Sequence, residues 1–129
     1  MAKPGELPMR GAVVAVVDDD PAIRHSLKFS LEIEGFSVRV YPGGAELLND
    51  LDLAAAECLV IDQNMPGMNG LDLVASLRGR NQSAPAILMT SHPTATLRER
   101  AGKAGVPIIE KPLLENALID RIRDVLARH

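Results

Sequence analysis

Four apolar runs in this chain stop at residues able to do chemistry. Residues 12–17 lead into Asp18-Asp19, 58–61 into Asp62, 86–89 into Thr90-Ser91, and 106–109 into Glu110-Lys111. Where such ends lie side by side, Asp18, Asp19 and Asp62 gather three carboxylates, which repel one another and require a compensating charge. An oxygen-preferring divalent cation supplies it. Mg²⁺ typically takes one or two carboxylates, with waters and phosphate oxygens completing its shell. Lys111 adds a fixed positive charge and Thr90 a hydroxyl donor. Metal, ammonium and hydroxyl around one carboxylate describe a phosphoryl-transfer site, where positioning and charge neutralisation do most of the catalysis.

The intervening segments must bring those ends together. Residues 12–17 form a continuous, valine-rich run, the pattern of a strand buried on both faces. Asp20-Pro21 then opens a helix with a carboxylate cap and a proline at its first position. Ile23, Leu27 and Leu31 supply its apolar stripe, and Gly35 ends it. A second strand over 36–40 carries Arg39, which suggests an edge. Pro42-Gly43-Gly44 turns the chain into a short helix bearing Leu47, Leu48 and Leu51. Residues 58–61 are wholly apolar, hence a central strand, and 64–70, with one proline and two glycines, read as a loop.

Leu71, Val74, Ala75 and Arg78 mark the third helix, and residues 86–89 the fourth strand. The helix expected over 94–104 is weakly apolar, anchored by Leu97 and Ala101. Pro107 within a fifth strand at 106–109 assigns that strand to an edge. Leu114, Leu118, Ile122 and Val125 define the last helix. This alternation predicts a single α/β domain of flavodoxin-like (βα)5 type. Its five-stranded parallel sheet should run in order 2-1-3-4-5 with helices on both faces. Ligands of such sheets sit beyond the carboxyl ends of the strands, where the polar residues of this chain are.

Composition sets limits on the function. With 129 residues the chain fits one domain, expected over 11–129 behind a flexible leader at 1–10. An apolar fraction of 47% argues against disorder. Fourteen basic against 17 acidic groups, net −3, argue against direct nucleic-acid binding. Arg121, Arg123 and Arg128 are interleaved with Asp120 and Asp124, as on a solvated helix face. Cys58 stands alone and reads as buried filler. His25, His92 and His129 are too scattered for a metal cluster, and Gly43-Gly44 is too short for a phosphate loop. With no apolar stretch of membrane-span length and no signal-peptide core, a soluble cytoplasmic protein with no membrane contact is expected.

The strings Val16-Val17-Asp18-Asp19-Asp20, Val60-Ile61-Asp62-Gln63-Asn64-Met65-Pro66-Gly67-Met68-Asn69-Gly70, Met89-Thr90-Ser91 and Glu110-Lys111-Pro112 together resemble the response-regulator receiver domains of two-component signal transduction. They stand in family order from about residue 12 to the end of the chain. The resemblance implies that Asp62 takes a phosphoryl group from a kinase phosphohistidine as an acyl phosphate. It implies Mg²⁺ held by Asp19, Asp62 and the backbone carbonyl of Asn64, with Asp18 acting through water. Lys111 would hold a phosphoryl oxygen, its bond to Pro112 being cis, and Thr90 would swing toward the modified group. Asn64 and His92 resemble positions that tune dephosphorylation through water access. The implied partners are a sensor histidine kinase or phosphotransfer protein, docking near the first helix and the loop after strand five, and a downstream output protein or domain. A homodimer through helices 4 and 5 is a further expectation.

Two departures bear on output. Ile108 stands where the family usually has Tyr or Phe, so the switch pair of Thr90 and residue 108 lacks its movable ring. Thr90 to Lys111 spans 21 positions where close relatives commonly use 22, which predicts a remodelled entry into strand five and a mobile fourth helix. Alternatives remain at this level. The chain could be a stand-alone receiver, the receiver fragment of a longer transcriptional regulator, or a pseudo-receiver or dimerisation module working without phosphorylation. Asp18-Asp19-Asp20 also contains the Asp-x-Asp of haloacid-dehalogenase-type phosphatases, but Ala22 occupies the place where those want Thr or Val. A signalling domain that is not an enzyme proper is the leading expectation.

Overall fold

The computed structural model describes residues 11–113 and 116–128. The leader expected at 1–10 lies outside the described residues, as do Leu114 and His129. Five strands alternate with five helices: β1 Val13–Val17, α1 Pro21–Ile33, β2 Ser37–Tyr41, α2 Gly44–Leu48, β3 Cys58–Asp62, α3 Gly70–Gly79, β4 Ala86–Thr90, α4 Ala95–Lys103, β5 Ile108–Glu110 and α5 Ala117–Arg128. All pairings are parallel and the sheet order is β2-β1-β3-β4-β5, as the alternation predicts.

The central strands divide their side chains between two cores. Val14, Val16, Cys58, Val60, Ile87 and Met89 face α1 and α5, meeting Leu27, Leu31, Leu118 and Ile122. Ala15, Val17, Leu59, Ile61 and Leu88 face the other way, meeting Leu47, Leu73, Leu77, Leu97 and Ala101. Because both faces are apolar, a one-residue slip would not expose a polar face, so alternation alone does not fix the register. The polar ends do. Drawing Asp62 one step inward would bury a carboxylate away from its partners, which costs far more than a lost aliphatic contact.

The local signals in the sequence explain where most elements begin and end. Asp20 caps α1 by accepting from Ala22 N at 2.9 Å, and Gly35, at φ +99°, ends it with Phe36 N donating to the Leu31 carbonyl. Thr94 caps α4, accepting from Leu97 N. Arg39 marks the β2 edge and reaches Asp52 at 2.8 Å. The last helix presents the interleaved surface expected of it, Arg121 and Arg128 both pairing with Asp124, while Arg123 bonds Glu34.

Several boundaries differ from expectation. Leu51 is not part of α2, which stops at Leu48, and its side chain is fully exposed; a 3-10 turn at Leu53–Ala55 follows instead. Ala75 faces solvent, and Leu73 and Leu77 complete the buried stripe of α3. Pro107 precedes β5 rather than lying within it. Its carbonyl accepts from Leu88 N at 2.9 Å, so the missing N–H costs the ladder nothing. The shortened entry to β5 closes tightly, with Val106 N donating to the Ala101 carbonyl and Val106 itself buried.

Gly70 opens α3 hard against the end of β3. A Cβ there would meet the Asp62 carbonyl at 2.6 Å, whereas at Gly79 nothing lies within 4 Å. Gly70→Ala should therefore lower stability in urea unfolding by about 1–3 kcal/mol. Gly79→Ala should be neutral or slightly stabilising, and equal effects at the two sites would contradict this packing.

Candidate functional site

The parallel register sets the site. Val17 pairs with Ile61 and Asp62 with Met89, so Asp18, Asp62 and Thr90 emerge at one end of three adjacent strands. Asp18, Asp19 and Asp62 each place a carboxylate oxygen within 4.8 Å of the others. Asp18 and Asp62 are almost fully buried and Asp19 is exposed. Lys111 reaches across from the end of β5, its Nζ 3.0 Å from Asp18 Oδ2 and 3.3 Å from Asp62 Oδ1. The backbone carries it there: Lys111 N donates to the Thr90 carbonyl at 2.9 Å, and the peptide bond to Pro112 is cis.

Electrostatics follow from that crowding. Burial raises the Asp62 pKa above the ordinary carboxylate value, and the charge of Asp18 raises it further, against the opposing pull of Lys111 and the Asn64 N–H. Burial alone would lower the Lys111 pKa. The hydrogen bond and charge of Asp18, then those of Asp62, outweigh it and leave the ammonium more firmly protonated. Among the described residues no buried side-chain nitrogen or oxygen lacks a hydrogen-bond partner.

Thr90 and Asn64 close the other side. Asn64 N donates to Asp62 Oδ1 at 3.3 Å, and Asn64 Nδ2 donates to Thr90 Oγ1 at 3.2 Å. His92 joins through its backbone N, 3.3 Å from the same hydroxyl, while its side chain is exposed. Ile108 is not brought into the site. It pairs with Leu88 and packs half-buried against the core on the α3–α4 side.

Two buried carboxylates and an exposed third beside one ammonium suit a small divalent cation and an incoming phosphoryl group. Residues 14–123 match the family described as the response regulator receiver domain. The chain belongs to this family. Among curated relatives, the receiver is 34% identical over 119 residues to the C4-dicarboxylate transport transcriptional regulatory protein DctR of Rhodobacter capsulatus, covering 90% of this chain and 60% of that protein. It is 37% identical over 116 residues to the transcriptional regulatory protein FixJ of Azorhizobium caulinodans, covering 89% and 55%. It thus spans little more than half the length of these relatives. Among solved structures, the receiver domain of Francisella response regulator 1452 superposes with a TM-score of 0.83 at 28% identity, covering 92% and 98% of the two chains. The FixJ-N crystal structure gives 0.81 at 31%, covering 94% and 98%.

Three residues that hold this receiver's site together were given no role from the sequence, although Gln63 and Gly70 stand in one of its motif strings. Arg24 Nη1 donates to the Asp18 carbonyl at 2.7 Å, fixing the turn that carries Asp18 and Asp19. Gln63 Oε1 accepts from Leu71 N at 2.9 Å and its carbonyl accepts from Gly70 N at 3.1 Å, which clips the β3–α3 loop closed. Gly70 allows that closure. A second polar residue, Gln63, directly after Asp62 at the end of the apolar run 58–61 was the available signal for the clip.

Lys111→Met should cost about 3 kcal/mol in urea unfolding without divalent cations, because two buried carboxylates then face each other uncompensated. Added Mg²⁺ should recover part of that loss through binding to the folded state. Identical loss with and without Mg²⁺ would argue against the three aspartates acting as one cation site.

Proposed function

We propose that this receiver accepts a phosphoryl group on Asp62 from the phosphohistidine of a sensor histidine kinase or phosphotransfer protein. The observation that carries this reading is the buried Asp62 carboxylate held by Lys111 beside Asp18 and Asp19. A carboxylate oxygen of Asp62 attacks phosphorus, the phosphorus–nitrogen bond to imidazole breaks, and its electron pair leaves with the ring nitrogen. Lys111 meets the charge on one phosphoryl oxygen, and Thr90 offers its hydroxyl proton to another. Asp19, Asp62 and the Asn64 carbonyl would hold Mg²⁺, with Asp18 engaging through water. The ion when bound neutralises the charge that builds between carboxylate and phosphoryl oxygens.

The complete set of acids, lysine and hydroxyl supports phosphorylation over a module that works without it. That the matched relatives are transcriptional regulators of which this chain covers only 60% and 55% favours a compatible second reading, in which this domain is the input of a longer regulator. The phosphodonor then places it in the cytoplasm; among the described residues no helix is long and apolar enough to cross a membrane.

Intact-protein mass after incubation with acetyl phosphate provides the test. The wild type should gain one phosphoryl group only when Mg²⁺ is present, and Asp62→Asn should gain none. An unmodified wild type, or a variant modified as readily, would sink the assignment.

A further inference from the structure

Residue 64 touches both the phosphoacceptor and the residue expected to report on it. Its backbone N–H bonds Asp62, and its side-chain amide bonds the Thr90 hydroxyl across the gap between the β3–α3 and β4–α4 loops. Thr90 is 1% exposed, so its hydroxyl meets the amide rather than solvent. The hydroxyl accepts from Asn64 Nδ2 and from His92 N, which occupies both of its lone pairs. What remains is a proton to give.

Its two donors differ in one respect. The His92 N–H belongs to the loop that Thr90 itself begins and can move with it. The Asn64 amide is rooted in the neighbouring loop, which Gln63 and Gly70 clip against α3. A staggered side chain that changes rotamer leaves a fixed partner behind. We infer that Asn64 is a positioning residue acting through Thr90: its amide latches the hydroxyl in the unmodified state, and Thr90 reaches a phosphoryl group on Asp62 by leaving Asn64. This rests on Asp62 being the phosphoacceptor. It assigns Asn64 a task beyond controlling water, namely setting the threshold of the switch. A bond made in one state stabilises that state alone, so losing it favours the other.

A non-hydrolysing phosphoryl mimic separates this role from dephosphorylation. Beryllofluoride with Mg²⁺ is titrated calorimetrically into the full chain as wild type, Asn64→Ala, Thr90→Ala and the double variant. Alanine at 64 keeps the backbone N–H and carbonyl, and the exposed position tolerates it. Asn64→Ala should bind the mimic about two- to tenfold more tightly than wild type, the worth of one neutral hydrogen bond. In the Thr90→Ala background the same change should have no effect. Equal or weaker binding by Asn64→Ala, or a gain that persists without Thr90, overturns the latch while leaving the phosphoacceptor reading intact. Failure of the wild type to bind the mimic at all removes that reading, and the latch falls with it.

Discussion

Asp18 and Asp62 end neighbouring strands with almost no access to water, a placement that costs energy twice, through lost hydration and through mutual repulsion. Lys111 offsets both. Its ammonium lies within 3.3 Å of an oxygen on each, although 93 residues of chain separate it from Asp18. This pairing gives β5 an importance its size does not suggest. The strand has three residues and lies at the sheet edge, yet it must be in register with β4 for Lys111 N to meet the Thr90 carbonyl. Charge balance at the site and closure of the sheet are therefore one event.

The balance is deliberately incomplete in the sense that chemistry requires. Three carboxylates face one ammonium, which leaves the cluster negative and able to draw a divalent cation. An incoming phosphoryl group carries negative charge of its own, and neither lysine nor metal alone suffices for both. The same crowding that raises the Asp62 pKa keeps its carboxylate poorly hydrated. Receiver chemistry thus follows from where the strands end more than from any specialised loop.

Much of this was legible in the sequence because burial on both faces leaves a plain mark. The runs at β1, β3 and β4 are apolar throughout and stop at acids or a hydroxyl, so strand order and the convergence of Asp18, Asp19, Asp62, Thr90 and Lys111 could be read together. Legibility failed where side-chain direction or a single bond decides. Ala75 and Leu73 both suit a helix, and only packing against the sheet selects the second. Leu51 looks like a continuation of α2, but the helix ends at Leu48 and the chain turns away. Pro107 contributes a carbonyl to the sheet without belonging to a strand, a distinction composition does not carry. The bonds from Gln63 to Leu71 and from Asn64 to Thr90 join loops whose approach depends on Gly70, so no spacing rule announces them.

The position of Ile108 bears on how a change at the site travels. An aromatic ring there could pass between solvent and core; isoleucine is already packed against the core and pairs with Leu88. Thr90 has another connection. Its hydroxyl bonds His92 N, and two residues later Thr94 caps α4. That helix is held to the rest of the domain by little: Leu97 and Ala101 are its buried residues, and its ion pairs to other elements, Arg98 with Glu110 at 3.4 Å and Arg100 with Asp72 at 3.7 Å, are exposed. Exposed pairs of this kind contribute about 0–1 kcal/mol each. With phosphorylation at Asp62, movement of Thr90 would meet less resistance through the 91–94 connection into α4 than through β5, whose next residue, Lys111, is tied to two buried carboxylates.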